Sequence, residues 1–355
     1  MSDAPLLHAL NIILGEQRLK LLTWVLKDKL TLNDCWLNLA ELTKDSGMES
    51  KKALFPIDKE YSKLADTHIE LTTINDPNYP SYLKEIPFPP LGLYTQGLPL
   101  PQNFNLNLAI VGTRKMSAYG ETIIKKFVPA LAKNHINIIS GLALGVDSYA
   151  HRETLKSNGY TVAVLGSGLH GIAPLTNTSL AEEIIAQGTI VSEFPPNAPP
   201  LAYHFPLRNR IISGLSRAIL VIEAPLKSGS LITAKYGLDQ NRDILAVPGS
   251  IFDLNSVGVN NLIAQGAKPI RQVEDIFEAF GLNNACPPTD CTDIKLSSEE
   301  GLVLNIIKDN RPCHVDKIAT LAKLRPACVL ATTTLLELKG LINDAGNGYF
   351  YLNTP

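Results

Sequence analysis

The stretch Leu108-Ala109-Ile110-Val111-Gly112-Thr113-Arg114 runs an apolar strand straight into a turn of glycine, threonine and arginine. The pattern returns three times. Ile136 to Ile139 enters Ser140-Gly141-Leu142-Ala143-Leu144-Gly145-Val146-Asp147. Thr161 to Leu165 enters Gly166-Ser167-Gly168. Ala218 to Ile222 enters Glu223-Ala224, then Ser228-Gly229-Ser230-Leu231-Ile232-Thr233. A helical pattern follows most of these turns, which is the order of a parallel α/β sheet. The ligand crevice of such a sheet lies at the carboxyl ends of its strands. Glycine lets backbone N–H groups approach an anion closely, and each following helix offers its positive end there. Several such turns on one edge predict a phosphate-binding floor.

The 355 residues are enough for two or three domains and a full core. Hydrophobic residues make up 45% and the formal net charge is −2, so any basic patch is local. No apolar run approaches about twenty residues, so no membrane span is expected. The N-terminus lacks a basic segment followed by an apolar stretch and a small-residue cleavage site. The five cysteines (Cys35, Cys286, Cys291, Cys313 and Cys328) form no C-x-x-C, and their odd number suits a reducing compartment. The expectation is a cytoplasmic protein with no metal and no cofactor.

Residues 1–68 read as a small helical unit. Leu6, Leu7, Leu10, Ile13 and Leu14 recur at helical spacing, as do Leu21, Leu22, Val25 and Leu26. Residues 69–280 form the main domain, opening with two short strands, Ile69 to Ile74 and Leu91 to Thr95, before the αβ alternation. Residues 281–295 read as a linker, with Pro287-Pro288 among polar residues. Residues 296–355 form a third unit. It has one helix capped by Ser298, one starting at Asp316, one from Pro326 through Leu338, and two short strands, 341–343 and 349–352. Three helices and a hairpin make a winged helix pattern.

Phe205-Pro206-Leu207-Arg208-Asn209-Arg210 opens a helix, with proline at its first position. Arg208 and Arg210 in the first turns oppose the helix dipole by about 0.3–1 kcal/mol each. An anionic ligand would offset that cost; an internal salt bridge with Glu193 or Glu223 is the alternative. Arg114 leaves its strand where a guanidinium can hold a phosphate through two parallel bonds. Ser228, Gly229 and Ser230, with Thr233, form another turn suited to phosphate. His151 follows Asp147 at helical spacing, and a structural role for both outweighs a catalytic pair. No Ser–His–Asp order, His–Glu metal pattern or Walker-type Gly-Lys-Ser/Thr is present. Basic groups with interleaved aromatics such as Tyr119, Tyr203 and Phe205 suit single-stranded nucleic acid.

In their order, Asp76-Pro-x-Tyr-Pro80, Val111-Gly-Thr-Arg114, Ser140-Gly-Leu-Ala-x-Gly-x-Asp147 with His151, Phe205-Pro-x-Arg-Asn-Arg210, Ser228-Gly-Ser230 with Thr233-Ala234, and Val247-Pro-Gly249 resemble the bacterial DNA-processing family DprA, also called Smf. The resemblance spans most of residues 70–270. It implies an extended Rossmann-like doubly wound sheet, flanked by an N-terminal helical (SAM-like) domain and a C-terminal winged helix. It also implies a non-enzymatic protein that binds single-stranded DNA, protects incoming DNA and loads the recombinase RecA during natural transformation, as a homodimer. Carried over by position, the DNA contacts are Gly112, Thr113, Arg114, Ser140, Gly141, Phe205, Arg208, Asn209, Arg210, Ser228, Gly229, Ser230 and Thr233. The apolar stretch Ile251 to Ala267, with Leu262 and Ile263, is the expected dimer interface.

Two departures stand out. Ile172-Ala173-Pro174 replaces the family's usual Tyr-Pro, removing a stacking residue. The third helix of the last unit carries no Lys or Arg beyond Arg325, which favours a protein contact over duplex reading. The runner-up function is a nucleoside-monophosphate phosphoribohydrolase of the same superfamily, or a nucleotide sensor without chemistry. Against hydrolysis, no carboxylate follows Thr233 until Asp239, so N-glycosidic cleavage has no proton handler at that turn.

Overall fold

A computed structural model describes residues 3–101, 104–282, 297–309, 313–339, 341–346 and 348–352. The chain forms two compact units, residues 1–287 and 288–355. Cys286, Cys291 and Pro287-Pro288 lie outside the described residues, as does the expected linker from residue 283 onward.

The first unit is built on a nine-stranded sheet: β1 (Glu70–Thr73), β2 (Gly92–Gly97), β3 (Asn107–Val111), β4 (Asn137–Ser140), β5 (Thr161–Val164), β6 (Thr189–Ser192), β7 (Ala218–Val221), β8 (Asp243–Ala246) and β9 (Lys268–Pro269). Their spatial order is β1-β2-β6-β5-β4-β3-β7-β8-β9. From β6 to β9 all neighbours are parallel, while β2 pairs antiparallel with both β6 and β1. The run β5-β4-β3-β7-β8-β9 has the doubly wound order of a Rossmann sheet. Strands β6, β2 and β1 extend it on one side. Central β3 is buried throughout, with Ala109 in register with both Ile139 and Ile219. The chain leaves β3 toward β4 and later returns to its other side as β7. That reversal opens a crevice at their carboxyl ends.

Helices cover both faces. On one, Phe127, Leu131 and Val146 from helices Ala118–Lys133 and Val146–Lys156 pack on Ile110 and Leu220. On the other, Ile211, Ile212 and Ala234 from helices His204–Gly214 and Gly229–Asp239 pack on Val111 and Val221. Each buried Val, Leu, Ile or Phe side chain here contributes about 1.5–3 kcal/mol. The N-terminal helices share a third cluster with the sheet edge, where Leu6, Leu10, Leu21 and Trp24 join Tyr94, Leu180 and Ile184.

The second unit contains helices Ser298–Asp309, Val315–Ala322 and Pro326–Leu338. They accompany β10 (Cys313–His314), β11 (Ile342–Gly346) and β12 (Tyr349–Leu352) in the antiparallel order β10-β12-β11. This is a winged helix, with Val303, Ile307, Ile318, Val329 and Phe350 in its core. The first helix is capped by Ser297 rather than Ser298. Ser297 Oγ accepts from Glu300 N at 3.2 Å, and Glu300 Oε2 accepts from Ser297 N at 2.7 Å. A reciprocal cap needs the serine three residues before the glutamate. No described helix is long and apolar enough to cross a membrane.

Candidate nucleic-acid interface

A crevice of about 550 Å³ opens beyond the carboxyl ends of β3 and β7. One wall is the turn Gly112-Thr113-Arg114. Thr113 N donates to Glu223 O at 2.8 Å, and Val146 N donates to Thr113 O at 3.2 Å. The close approach needs glycine at 145, where φ is +75° and a Cβ would lie 2.4 Å from the Thr113 carbonyl oxygen. With the turn pinned from both sides, the Arg114 side chain projects outward, exposed. Its guanidinium carbon lies 6.0 Å from the centre of the Phe205 ring, which is half-buried and also lines the crevice.

The floor is Arg208, buried on helix His204–Gly214. Its Nη1 donates to Gly141 O at 2.7 Å and to Val164 O, and its Nε to Asn209 Oδ1 at 3.2 Å. One guanidinium thus ties the ends of β4 and β5 together. Gly141 has no side chain because none fits: a Cβ would sit 2.6 Å from Arg208 Nη2. Burial lowers the Arg208 pKa to about 10, with the Arg114 charge adding to the effect and Asp147 opposing it. Asp147 Oδ2 accepts from Gly141 N at 3.2 Å and Ala143 N at 3.4 Å, holding the turn. Burial raises its pKa, against Arg208 and these bonds.

The opposite wall is the start of helix Gly229–Asp239. Ser228 Oγ caps it, accepting from Ser230 N at 3.3 Å, and lies 2.7 Å from Ser230 Oγ. Buried Thr233 lines the crevice one turn further on. Asn209 Nδ2 donates to Gly229 O at 3.4 Å, joining the two helices across the floor. Lys227, exposed, also lines this wall. The sequence reading passed it over, although it directly precedes Ser228-Gly229-Ser230. Three cations (Arg114, Arg208 and Lys227) and a positive helix end thus face one carboxylate, Asp147. Such a surface selects anions. Nearby Glu223 is buried and occupied: Ser117 N donates to its Oε2 at 2.9 Å and Ser117 Oγ to its Oε1, fixing the start of helix Ala118–Lys133.

Other expected contacts lie elsewhere. Arg210 is buried in an ion pair with Glu193, away from the crevice lining. Ser140 is buried in the sheet, its Oγ donating to Ile110 O at 2.6 Å. Gly141 stands behind Arg208 rather than at the surface. His151 does not bond Asp147; its Nδ1 lies 2.7 Å from Thr161 Oγ1, and burial pushes its pKa down to about 3. Leu262 and Ile263 are half-buried against the core beneath β8, whereas Ile251, Phe252 and Leu254 are exposed.

The family model of DNA recombination-mediator protein A matches residues 70–281, and that of the DprA winged helix domain matches residues 287–348. Protein Smf of Escherichia coli (strain K12) is 36% identical over 360 residues, covering 98% of this chain and 94% of its own. DNA processing protein DprA of Bacillus subtilis (strain 168) is 41% identical over 216 residues, 61% of this chain and 73% of its own. Among solved structures, DprA from Streptococcus pneumoniae is similar with a TM-score of 0.56 and 33% identity, covering 68% of this chain and 90% of that one. DNA processing protein A from Helicobacter pylori, a structure described for its single-stranded DNA binding mode, is similar with a TM-score of 0.53 and 28% identity, covering 60% and 96%. The matched span runs from β1 through helix Val273–Ala279 and a matched winged helix follows it, so the chain belongs to the DNA recombination-mediator protein A family, DprA or Smf.

Proposed function

We propose that this protein binds single-stranded DNA in the crevice at the ends of β3 and β7. In this role it protects incoming strands and passes them to RecA during natural transformation. The observation that carries the reading is the meeting of Arg114, Arg208, Lys227 and the capped start of helix Gly229–Asp239 around one cavity, with the Phe205 ring at its side. Cations that follow a phosphate backbone and an aromatic face for a base are what a single strand requires. Arg114 and the turn Ser228-Gly229-Ser230 hold phosphates, Asn209 supports that turn through Gly229 O, Thr233 lines the crevice beside it, and Arg208 shapes the floor. The transfer to RecA and the homodimer, formed through Leu262 and Ile263, are supported by the family relationship. The test is a titration of single-stranded and duplex DNA at matched salt. Single strands bind more tightly, and log affinity falls against log salt with a slope of about 0.7 per neutralised phosphate. Equal or tighter duplex binding contradicts the reading.

A further inference from the structure

Loop 248–256 follows β8 at the same sheet edge as the crevice. It carries Ile251, Phe252 and Leu254, which are 78%, 91% and 79% exposed. Leu226, 61% exposed, stands on the neighbouring loop after β7, beside the crevice residues Pro225 and Lys227. The two loops are joined: Ala224 N donates to Asn255 O at 2.7 Å, and Gly258 N to Ala224 O at 2.8 Å. On the other side, Asn255 Nδ2 donates to Lys115 O at 3.1 Å, next to Arg114. Tyr119 Oη donates to Pro248 O at 2.8 Å, and Asn260 Nδ2 to Gly249 O at 3.0 Å. Phe252 is therefore held in water by a tethered loop.

Resting on the single-strand reading above, we propose that Phe252, next to Ile251 on the loop joined to the Leu226 loop, is a second stacking platform that takes a base of the strand as it leaves the crevice. The surrounding charge selects this occupant. Lys227 directly follows Leu226, and Lys115, next to Arg114 in the chain, is bonded through its carbonyl to Asn255 of this loop; none of the three cations is ion-paired among the described residues. The one acid within the loop, Asp253, accepts from Asn255 N at 2.9 Å. An exposed aromatic face on a loop tethered beside unpaired cations fits a polyanion with exposed bases; apolar contacts between protein copies favour centres poor in lysine. The platform continues the crevice at the ends of β7 and β8. A strand whose phosphates follow Arg114 and Lys227 reaches Phe252 without leaving the basic edge.

The experiment compares the full chain with Phe252→Ala, Phe252→Tyr and Phe252→Trp, using oligothymidylate as probe and light scattering for mass. Phe252→Ala should lose at least about fivefold in affinity, the contribution of one stacked base. Phe252→Tyr should restore it, and all variants should keep the parental mass. Phe252→Trp should show a fluorescence quench on titration that the parent lacks. Parental affinity in Phe252→Ala overturns the proposal. So does a drop in mass accompanying the loss, which would assign the patch to contact between copies. Arg114→Ala is the control. If it loses binding while Phe252→Ala does not, the platform fails and the crevice reading stands. If the parent itself does not bind oligothymidylate, the crevice reading fails.

Discussion

Arg18 and His204, 186 positions apart in the chain, meet through a bond of 2.7 Å from the Arg18 Nη2 to the His204 Nε2. Nδ1 of the same ring lies 3.1 Å from Gly166 O, so it is assigned the proton and Nε2 accepts from Arg18. The Arg18 guanidinium also lies 4.1 Å over the Phe194 ring, on which His204 stacks at 4.1 Å. The N-terminal helices are thereby fastened to the residue just before Phe205. Arg18→Ala removes a buried donor and should cost about 1–3 kcal/mol of stability, read from the urea midpoint. A parental midpoint would show that the fastening carries no weight.

Three histidines are buried, and two of them, His151 and His204, give stability a pH dependence to which His8, whose pKa burial also lowers, adds in the same direction. Burial holds His151 down to about 3; burial, then the Arg18 charge, holds His204 down to about 4. In the unfolded chain both titrate near about 6.5. Below that pH the unfolded chain binds protons that the folded chain refuses, so stability falls as pH falls. Each histidine contributes up to about 1.4 kcal/mol per pH unit across its window. Their contribution is complete above about pH 6.5 and is lost progressively from there down to the folded values. Urea midpoints measured across this range should decline on acidification, and the decline should be shallower in His151→Gln. Constant midpoints would contradict the assignment of neutral rings.

Glu193 and Arg210 form a pair in which both side chains are buried. Removing one charge strands the other. Glu193→Ala should therefore cost about 3–5 kcal/mol, and a double replacement by apolar residues should recover much of it. Any variant of Arg210 that remains folded should keep parental DNA affinity, since this guanidinium faces Glu193 and not the crevice. Lost binding in a stable Arg210 variant would return the residue to the interface.

Gly141→Ala tests the floor without removing a charge. The new methyl would sit 2.6 Å from Arg208 Nη2, so the guanidinium must leave its bonds to Gly141 O and Val164 O. Loss of those bonds should cost about 1–3 kcal/mol of stability. DNA affinity should fall with it, measured on the folded protein below its melting range. Parental stability and affinity would show that Arg208 does not shape the crevice.

The parallel sheet was legible because four strand-to-turn transitions repeat one physical pattern. The turn residues were legible because glycine and hydroxyls at strand ends have few other uses. The division between Arg208 and Arg210 was harder, though elementary geometry contains it. Residues two apart on a helix lie about 200° around its axis, so only one of them can face the crevice. Lys227 was missed because a lone lysine on a loop carries no pattern of its own. The docking of the N-terminal helices on Tyr94, Leu180 and Ile184 depends on contacts distant in sequence, which periodicity does not encode. Leu262 and Ile263 read as surplus apolar surface, yet they pack on the core and leave Ile251, Phe252 and Leu254 uncovered.

The central claim is that Arg114 holds a single strand at the crevice, and its most direct test pairs binding with melting for Arg114→Ala and Arg114→Lys. Arg114 is exposed and makes no core contact that would carry the fold. The account predicts that Arg114→Ala melts with the parent yet binds single-stranded DNA far more weakly. Arg114→Lys should recover only part of the affinity, because a point charge cannot reproduce the two-pronged hold of a guanidinium. Parental binding in Arg114→Ala, or a melting temperature well below the parent's, would contradict it.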